Sequence, residues 1–381
     1  MLFRAGGAAG IAAARRLIPG NSSYFDGDLS DSAALRHAVA VNPRLAPVWV
    51  ELGLQAEATG DIGEAERCLL KAAAASRTYD TNWSLANFYI RRRDEQKFWP
   101  WARRAAETSY FTQTALFRLC WQLAADPAAI LERAIPARPN MLAQYLAFLL
   151  QQDKLDEAEA VARRLLPLSR KTEASLLAQY CSRLLSAGRA AAAVGFWNDA
   201  CRRRLLPFVP LEPEAGTSLT NGDFASEPGA GGFDWRVGTA EGLSVFAVPS
   251  PRALRVSLSG KQPERWVLLE QILPVQAGKA YRLSYWLRAE PAGQTNGIQW
   301  RVTGPPGKDE LLDAPLGDGD TSWRRQAVGF RVPSGVELVR LALEYRRMPG
   351  TARAEADVWL RQLNLAFDEE NAAGRQAANR R

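Results

Sequence analysis

The chain of 381 residues contains one histidine, His37, and four cysteines, Cys68, Cys120, Cys181 and Cys201, with no CxxC spacing among them. That scarcity excludes a zinc site built from His and Cys, which needs about four such ligands together. The cysteines read as small buried thiols and leave the redox compartment open. Lysine is also sparse, with seven of the 48 basic residues. Arginine dominance beside abundant alanine matches a GC-rich bacterial genome rather than nucleic-acid binding. Most of these arginines are expected on solvated helix faces, although Arg91-Arg92-Arg93 and Arg202-Arg203-Arg204 suit anionic partners. No apolar run reaches the length of about 18 residues that a membrane-spanning helix requires. GxSxG, P-loop, dinucleotide-binding and HExxH motifs are all missing. Asp368-Glu369-Glu370 lies in a polar tail, and no carboxylate pair is isolated as a glycosidase would need. A non-catalytic function without a cofactor is therefore expected.

What is present is an ordinary globular composition, 47% hydrophobic and 23% charged with a net charge of +7. The length allows two or three domains. Trp49 and Trp83 stand 34 residues apart, and their surroundings repeat. Leu52-Gly53, Ala65, Leu69 and Ala72 follow Trp49; Ala86-Asn87 and Ala106 take matching slots after Trp83. These small and medium residues fall where two helices approach closely. Thr59-Gly60-Asp61 reads as a helix stop and a new start. Asn42-Pro43 ends a preceding helix that carries Leu35 and Ala38. A further copy runs from Pro139 through Leu142, Tyr145-Leu146, Ala158 and Ala162. Another runs from Glu173 through Leu176, Tyr180, Gly188, Ala192 and Phe196. The stretch from Thr114 to Asn140 reads as a shortened unit, with Asp126-Pro127 as cap and first turn.

Residues 22–205 thus resemble the tetratricopeptide repeat family, an all-α solenoid of stacked helix pairs. The resemblance implies a protein or peptide partner in the concave groove. Polar residues of the first helix in each pair are the groove candidates: Asn82, Asn87, Arg91 and Gln144. Trp49, Trp83 and Phe117 read as packing residues. Residues 1–21 have two readings. Met1 to Ala14 is weakly like a signal peptide, but without a convincing cleavage site before Arg15-Arg16. Alternatively, Ala12 to Leu17 is the tail of an incomplete first repeat.

The helical pattern stops near Arg204. Residues 206–216 hold Pro207, Pro210 and Pro213 and read as an extended linker. Its apolar residues imply packing against a domain rather than free movement. Beyond it the period becomes two. Strands are expected over Ala253–Ser259, Trp266–Leu273, Tyr281–Arg288, Ile298–Val302, Arg325–Val332, Val339–Tyr345 and Asp357–Leu365. Breaks such as Pro305-Pro306-Gly307 and Gly317-Asp318-Gly319-Asp320 separate them. Short strands with such breaks indicate an antiparallel β-sandwich over 217–367, followed by a polar tail over 368–381.

Asn221-Gly222-Asp223-Phe224, with Phe233-Asp234-Trp235 after it, looks like the first strand of galactose-binding-like jelly rolls, the shape of carbohydrate-binding modules. The run from Gln271 to Tyr281, the strand from Tyr281 to Ala289, Ser322-Trp323 and the closing run from Val358 to Leu363 are similar to later pieces of those modules. The sequence departs from the pattern at Ala225 and Arg361, where such modules often carry acids. This counts against a structural calcium ion, which takes roughly six to eight oxygen ligands. Asp223 and Asp357 are the remaining calcium candidates. Alternation places Tyr281, Leu283, Tyr285 and Leu287 inward and Arg282, Ser284, Trp286 and Arg288 outward. An outward face carrying Trp286, Arg282, Gln299, Arg301 and Glu344 suits a polar or acidic glycan.

The fold expected is thus α then β: a helical solenoid and a jelly-roll sandwich. The function implied is scaffolding, with a protein in the solenoid groove and a glycan or second partner on the sandwich. Domain analogy places it in bacterial cell-envelope or exopolysaccharide assembly. The alternative is a protein-interaction adaptor whose sandwich binds no sugar. Cytoplasm and periplasm both remain open.

Overall fold

The computed structural model describes residues 30–368 apart from 110, 230, 293, 294, 296, 305–309 and 318. The two readings of residues 1–21, the Pro305-Pro306-Gly307 break and the tail beyond Asp368 lie outside the described residues. Eleven α-helices are followed by ten strands in two antiparallel five-stranded sheets among the described residues. The architecture is therefore α then β, as expected.

The chain divides into two compact units, one running to Leu168 and a second from Ser169. The first holds α1 (Ser32–Val41), α2 (Ala46–Ala58), α3 (Ile62–Ala75), α4 (Tyr79–Arg91), α5 (Glu95–Thr108), α6 (Thr114–Leu123), α7 (Pro127–Arg133), α8 (Pro139–Gln151) and α9 (Leu155–Leu165). Three-residue turns join α2 to α3, α4 to α5 and α8 to α9. Asp61 caps α3 by accepting from the Glu64 amide, and Asp126 caps α7 by accepting from Ala128 and Ala129. The repeated small residues do close the helix pairs. Ala65, Leu69, Ala72 and Ala86 are fully buried, and a Cβ on Gly53 would come within 2.8 Å of Leu69. Phe117 is buried, while Trp49 and Trp83 are half-buried. Trp49 Nε1 donates to the Pro43 carbonyl, and Trp83 stacks on Tyr79.

The second unit opens with the helix pair α10 (Ala174–Ser186) and α11 (Ala190–Arg202). Its strands are β1 (Arg236–Val237), β2 (Leu243–Pro249), β3 (Arg252–Ser259), β4 (Arg265–Pro274), β5 (Ala280–Glu290), β6 (Ile298–Thr303), β7 (Glu310–Pro315), β8 (Arg324–Arg331), β9 (Leu338–Arg346) and β10 (Glu355–Phe367). The first sheet has the order β1-β4-β9-β6-β7 and the second β2-β3-β10-β5-β8. One core fills the space between them, with Trp235, Trp300, Tyr281, Tyr285 and Tyr345 nearly or fully buried among aliphatic residues. Tyr285 Oη donates to the Leu316 carbonyl at 2.9 Å, so this buried hydroxyl is satisfied.

Four features differ from expectation. The compact division falls at Leu168/Ser169 rather than at Arg204, because α10–α11 share contacts with the strand region. Trp197 of α11 is fully buried, stacked on Phe208 and edge-on to Phe233. Gly232 donates to Ser182 Oγ at 2.7 Å, and the Asn198 side chain bonds both the Leu211 amide and carbonyl. The proline-rich segment lies against α11, in keeping with the packing that its apolar residues implied. Second, β1, β2 and β7 were not expected as strands. All three are sheet edges, where half-burial blurs the alternation. Third, Asn221 to Phe224 is a turn, not a strand. Asn221 and Phe224 adopt φ near +51°, and the Asn221 side chain bonds the Ser226 amide and carbonyl. Fourth, Asp368 belongs to the sandwich and not to a tail. It is buried, its amide donates to Ala280, and its carboxylate accepts from Arg282.

Candidate functional site

The five sandwich candidates divide between two surfaces. Gln299 and Arg301 on β6 and Glu344 on β9 face outward from the first sheet, with Gln299 opposite Glu344 in register. Trp286 and Arg282 on β5 face outward from the second sheet. Alternation separates inward from outward, but it does not say which sheet a strand joins. The single face expected from the sequence is therefore corrected to two.

On the first sheet the register gathers more residues than sequence reasoning found. A groove of about 590 Å³ is lined by Arg236, Arg265, Trp266, Glu270, Arg301, Arg340 and Glu344, among others. Glu344 is its electrostatic centre. Only 5% exposed, it accepts from Arg340 at 3.1 Å and Arg301 at 3.5 Å, with Arg265 at 3.9 Å. Arg340 also bonds Glu270, which has Arg236 at 3.7 Å. Arg301 reaches Glu310 on β7 as well. The lattice of guanidinium and carboxylate groups holds polar hydrogen-bonding edges in fixed positions. Trp266 lies beside it, 37% exposed and available as a flat apolar surface. A Cβ on Gly238 would overlap the Val267 carbonyl at 1.8 Å, so a glycine is required where β1 ends against this groove. Chemically, the groove offers donors, acceptors and one aromatic ring.

On the second sheet Trp286 is half-buried rather than open. The Arg361 guanidinium sits over it at 5.5 Å and over Trp323 at 4.1 Å. Arg361, the departure noted in the closing strand, thus fills a stacking role. Arg282 pairs with Asp368 at 2.9 Å. The calcium candidates are each taken by an arginine. Asp223 accepts from Arg252 at 3.1 Å, and Asp357 holds Arg255 at 2.8 Å while also accepting from Ser257. Contact with Arg255 draws the Asp357 carboxyl below its ordinary range, against the opposing effect of burial.

The helical candidates are all engaged within the first unit. Asn82 is buried, its amide donating to Arg104 O at 3.4 Å and Thr108 Oγ1 at 3.2 Å. It ties α4 to α5 at the edge of a cavity that Asn82, Arg104 and Thr108 line together. Asn87 is half-buried and donates to the Trp83 carbonyl one turn back at 2.9 Å. Arg91 clasps Glu57, and Gln144 accepts from the Gln113 amide at 2.9 Å. Polar periodicity could not separate ligand contacts from such inter-helix ties.

No protein-family model and no curated protein matches the sequence. Solved structures do match the strand region. A carbohydrate-binding module (CBM4) is 14% identical and covers 40% of this chain and 100% of its own, with a TM-score of 0.32. A family 16 carbohydrate-binding module is 16% identical over 38% of this chain and 96% of its own, with a TM-score of 0.27. The N-terminal cellulose-binding domain of a β-1,4-glucanase from Cellulomonas fimi is 16% identical over 35% of this chain and 88% of its own, with a TM-score of 0.25. At these scores the likenesses assign no ligand and no site. No described helix is long and apolar enough to cross a membrane.

Proposed function

We propose that this protein is a non-catalytic scaffold. Its helix pairs form a tetratricopeptide-like groove for a protein partner, and its sandwich holds a glycan on the outer face of the first sheet. Cell-envelope or exopolysaccharide assembly is the setting that this pairing of domains fits. The observation carrying the glycan reading is the groove around Glu344. An exposed Trp266 face stands beside a preorganised lattice of arginines and carboxylates. A pyranose presents one apolar C–H face and a rim of hydroxyls, which such a combination matches. For the helical groove, the support is the set of side-chain ties that hold successive helix pairs in register, Arg91–Glu57 and Lys97–Glu66 among them.

The test is affinity electrophoresis of the full-length protein in gels containing neutral polysaccharides such as xyloglucan or hydroxyethylcellulose. Retardation is expected, and Trp266→Ala should remove most of it while leaving the thermal transition unchanged. Normal mobility in every polysaccharide gel, with the protein folded, would overturn the glycan reading and favour the protein-interaction adaptor.

A further inference from the structure

The outer face of the second sheet carries an ordered row of alternating rings and guanidinium groups. In cross-strand register Phe246 lies opposite Arg255, Arg255 opposite Trp359, and Trp359 opposite Arg288, so one row crosses four strands. The contacts follow the register. Arg255 is 5.7 Å from the centre of the Phe246 ring and 5.3 Å from that of Trp359, and Arg288 is 4.8 Å from the centre of the Trp359 ring. A second row places Arg361 opposite Trp286 and Trp286 opposite Arg325. Such stacking contributes about 0.5–1 kcal/mol per contact at exposed sites and fixes each guanidinium plane.

Carboxylates answer some of these arginines and not others. Arg255 pairs with Asp357, Arg288 with Glu290 and Arg282 with Asp368. Arg361 and Arg325, on either side of Trp286 in the register, have no carboxylate partner among the described residues. Arg361 Nε is buried without a hydrogen-bond partner, and Arg325 is exposed. Arg325 on β8 and Arg361 on β10 therefore flank Trp286 with charge that no described carboxylate answers, and the Arg361 plane is held by the Trp286 and Trp323 indoles. Guanidiniums lie over the Trp286, Trp323 and Trp359 rings, which disfavours base stacking by a nucleic acid there. Interleaved charge also breaks up any apolar patch that a hydrophobic protein partner would need.

We propose that this face is a second contact surface, selective for carboxylate-bearing polysaccharide, with Arg325 and Arg361 as its anion-binding residues. Guanidiniums bind carboxylates bidentately in their own plane, the edge that stacking leaves free. The proposal rests on the reading of the sandwich as a glycan-binding unit, but it uses a different sheet from the groove around Glu344.

The test is affinity electrophoresis of the full-length protein in polygalacturonate, beside a neutral xyloglucan gel and a single-stranded oligonucleotide. Polygalacturonate should retard the protein, with retardation falling as salt rises. Arg325→Glu and Arg361→Gln should each weaken it about tenfold, as loss of a charged hydrogen bond implies. Trp266→Ala should leave it unchanged. Arg325 is exposed, so its variant keeps the test valid even if Arg361→Gln disturbs folding. Polygalacturonate binding that survives Arg325→Glu but is lost with Trp266→Ala would overturn the proposal. So would tighter binding to the oligonucleotide. Failure of xyloglucan binding alone would count against the groove of the first sheet and leave this face standing.

Discussion

Arg91 holds Glu57 through two parallel hydrogen bonds, Nε to Oε1 at 2.9 Å and Nη2 to Oε2 at 2.6 Å, across a separation of 34 residues. The sequence period therefore appears in the structure as a physical link between the ends of α2 and α4. The bond with Arg91, with the charges of Arg91 and Arg92, holds the Glu57 carboxyl below its ordinary range despite an opposing effect of burial. A lowered folded value means that this link stabilises the protein fully above the unfolded carboxyl value of about 4.3 and is lost as pH falls through the folded value. Glu57→Gln should cost about 0.2–1 kcal/mol at neutral pH, since Arg91 is 43% exposed. It should also flatten the pH dependence of stability below about pH 4.3. Urea titrations from acid to neutral pH measure both effects, and parallel curves for variant and parent would refute the link.

Gly232 packs so close to Trp197 that a Cβ there would lie 2.5 Å from the ring, and its φ of +62° is unfavourable for other residues. Gly232→Ala should destabilise the second unit by about 1–3 kcal/mol. Quenching of the Trp197 fluorescence environment should change with it. An unaltered thermal transition would show that the helix pair and strands do not share this contact in solution.

Glu344 contacts three arginines from three strands, sharing Arg301 with Glu310 and Arg340 with Glu270. Glu344→Ala removes the carboxylate that Arg265, Arg301 and Arg340 share and should cost about 1–3 kcal/mol. Glu344→Gln keeps the shape and an acceptor, and should cost less. Denaturant midpoints of the two variants in the expected order would support the lattice; equal midpoints would argue that the charge contributes nothing.

Burial raises all four thiols. Cys68 and Cys201 are pushed up to about 11 and Cys120 to about 12, with Cys181 raised as well. Hardly any thiolate then exists at pH 8, and access is blocked. A chromogenic disulfide reagent should titrate almost no thiol in the native protein and all four in denaturant. Rapid native labelling of any one of them would contradict its buried placement.

Much of the fold was legible in the sequence because two periods dominate it. Trp49 and Trp83 set the helix register, Asp61 and Asp126 marked helix starts, and the alternation from Tyr281 to Arg288 identified both the strand and its inward residues. Strands β1, β2 and β7 escaped because an edge strand is solvated along one side and loses clean alternation. The candidate site was less legible. Arg301 and Trp286 are both outward-facing, but only non-local pairing assigns them to different sheets. Asn82 reads from the sequence as a groove candidate; its burial depends on Arg104 and Thr108, which the repeat does not specify. Trp266, Arg236 and Arg340 meet at one groove through registers spanning much of the second unit, and no local motif encodes that meeting.

The burial of Trp197 against Phe208 and Phe233 has a consequence for how this chain could be cut and exchanged. A break placed in the proline-rich segment would strip α10 and α11 from the strands and bare three aromatic rings to water. A break between Leu168 and Ser169 respects the compact division. A cut there would keep the sandwich and its helix pair in one piece, with the Trp197 contacts intact.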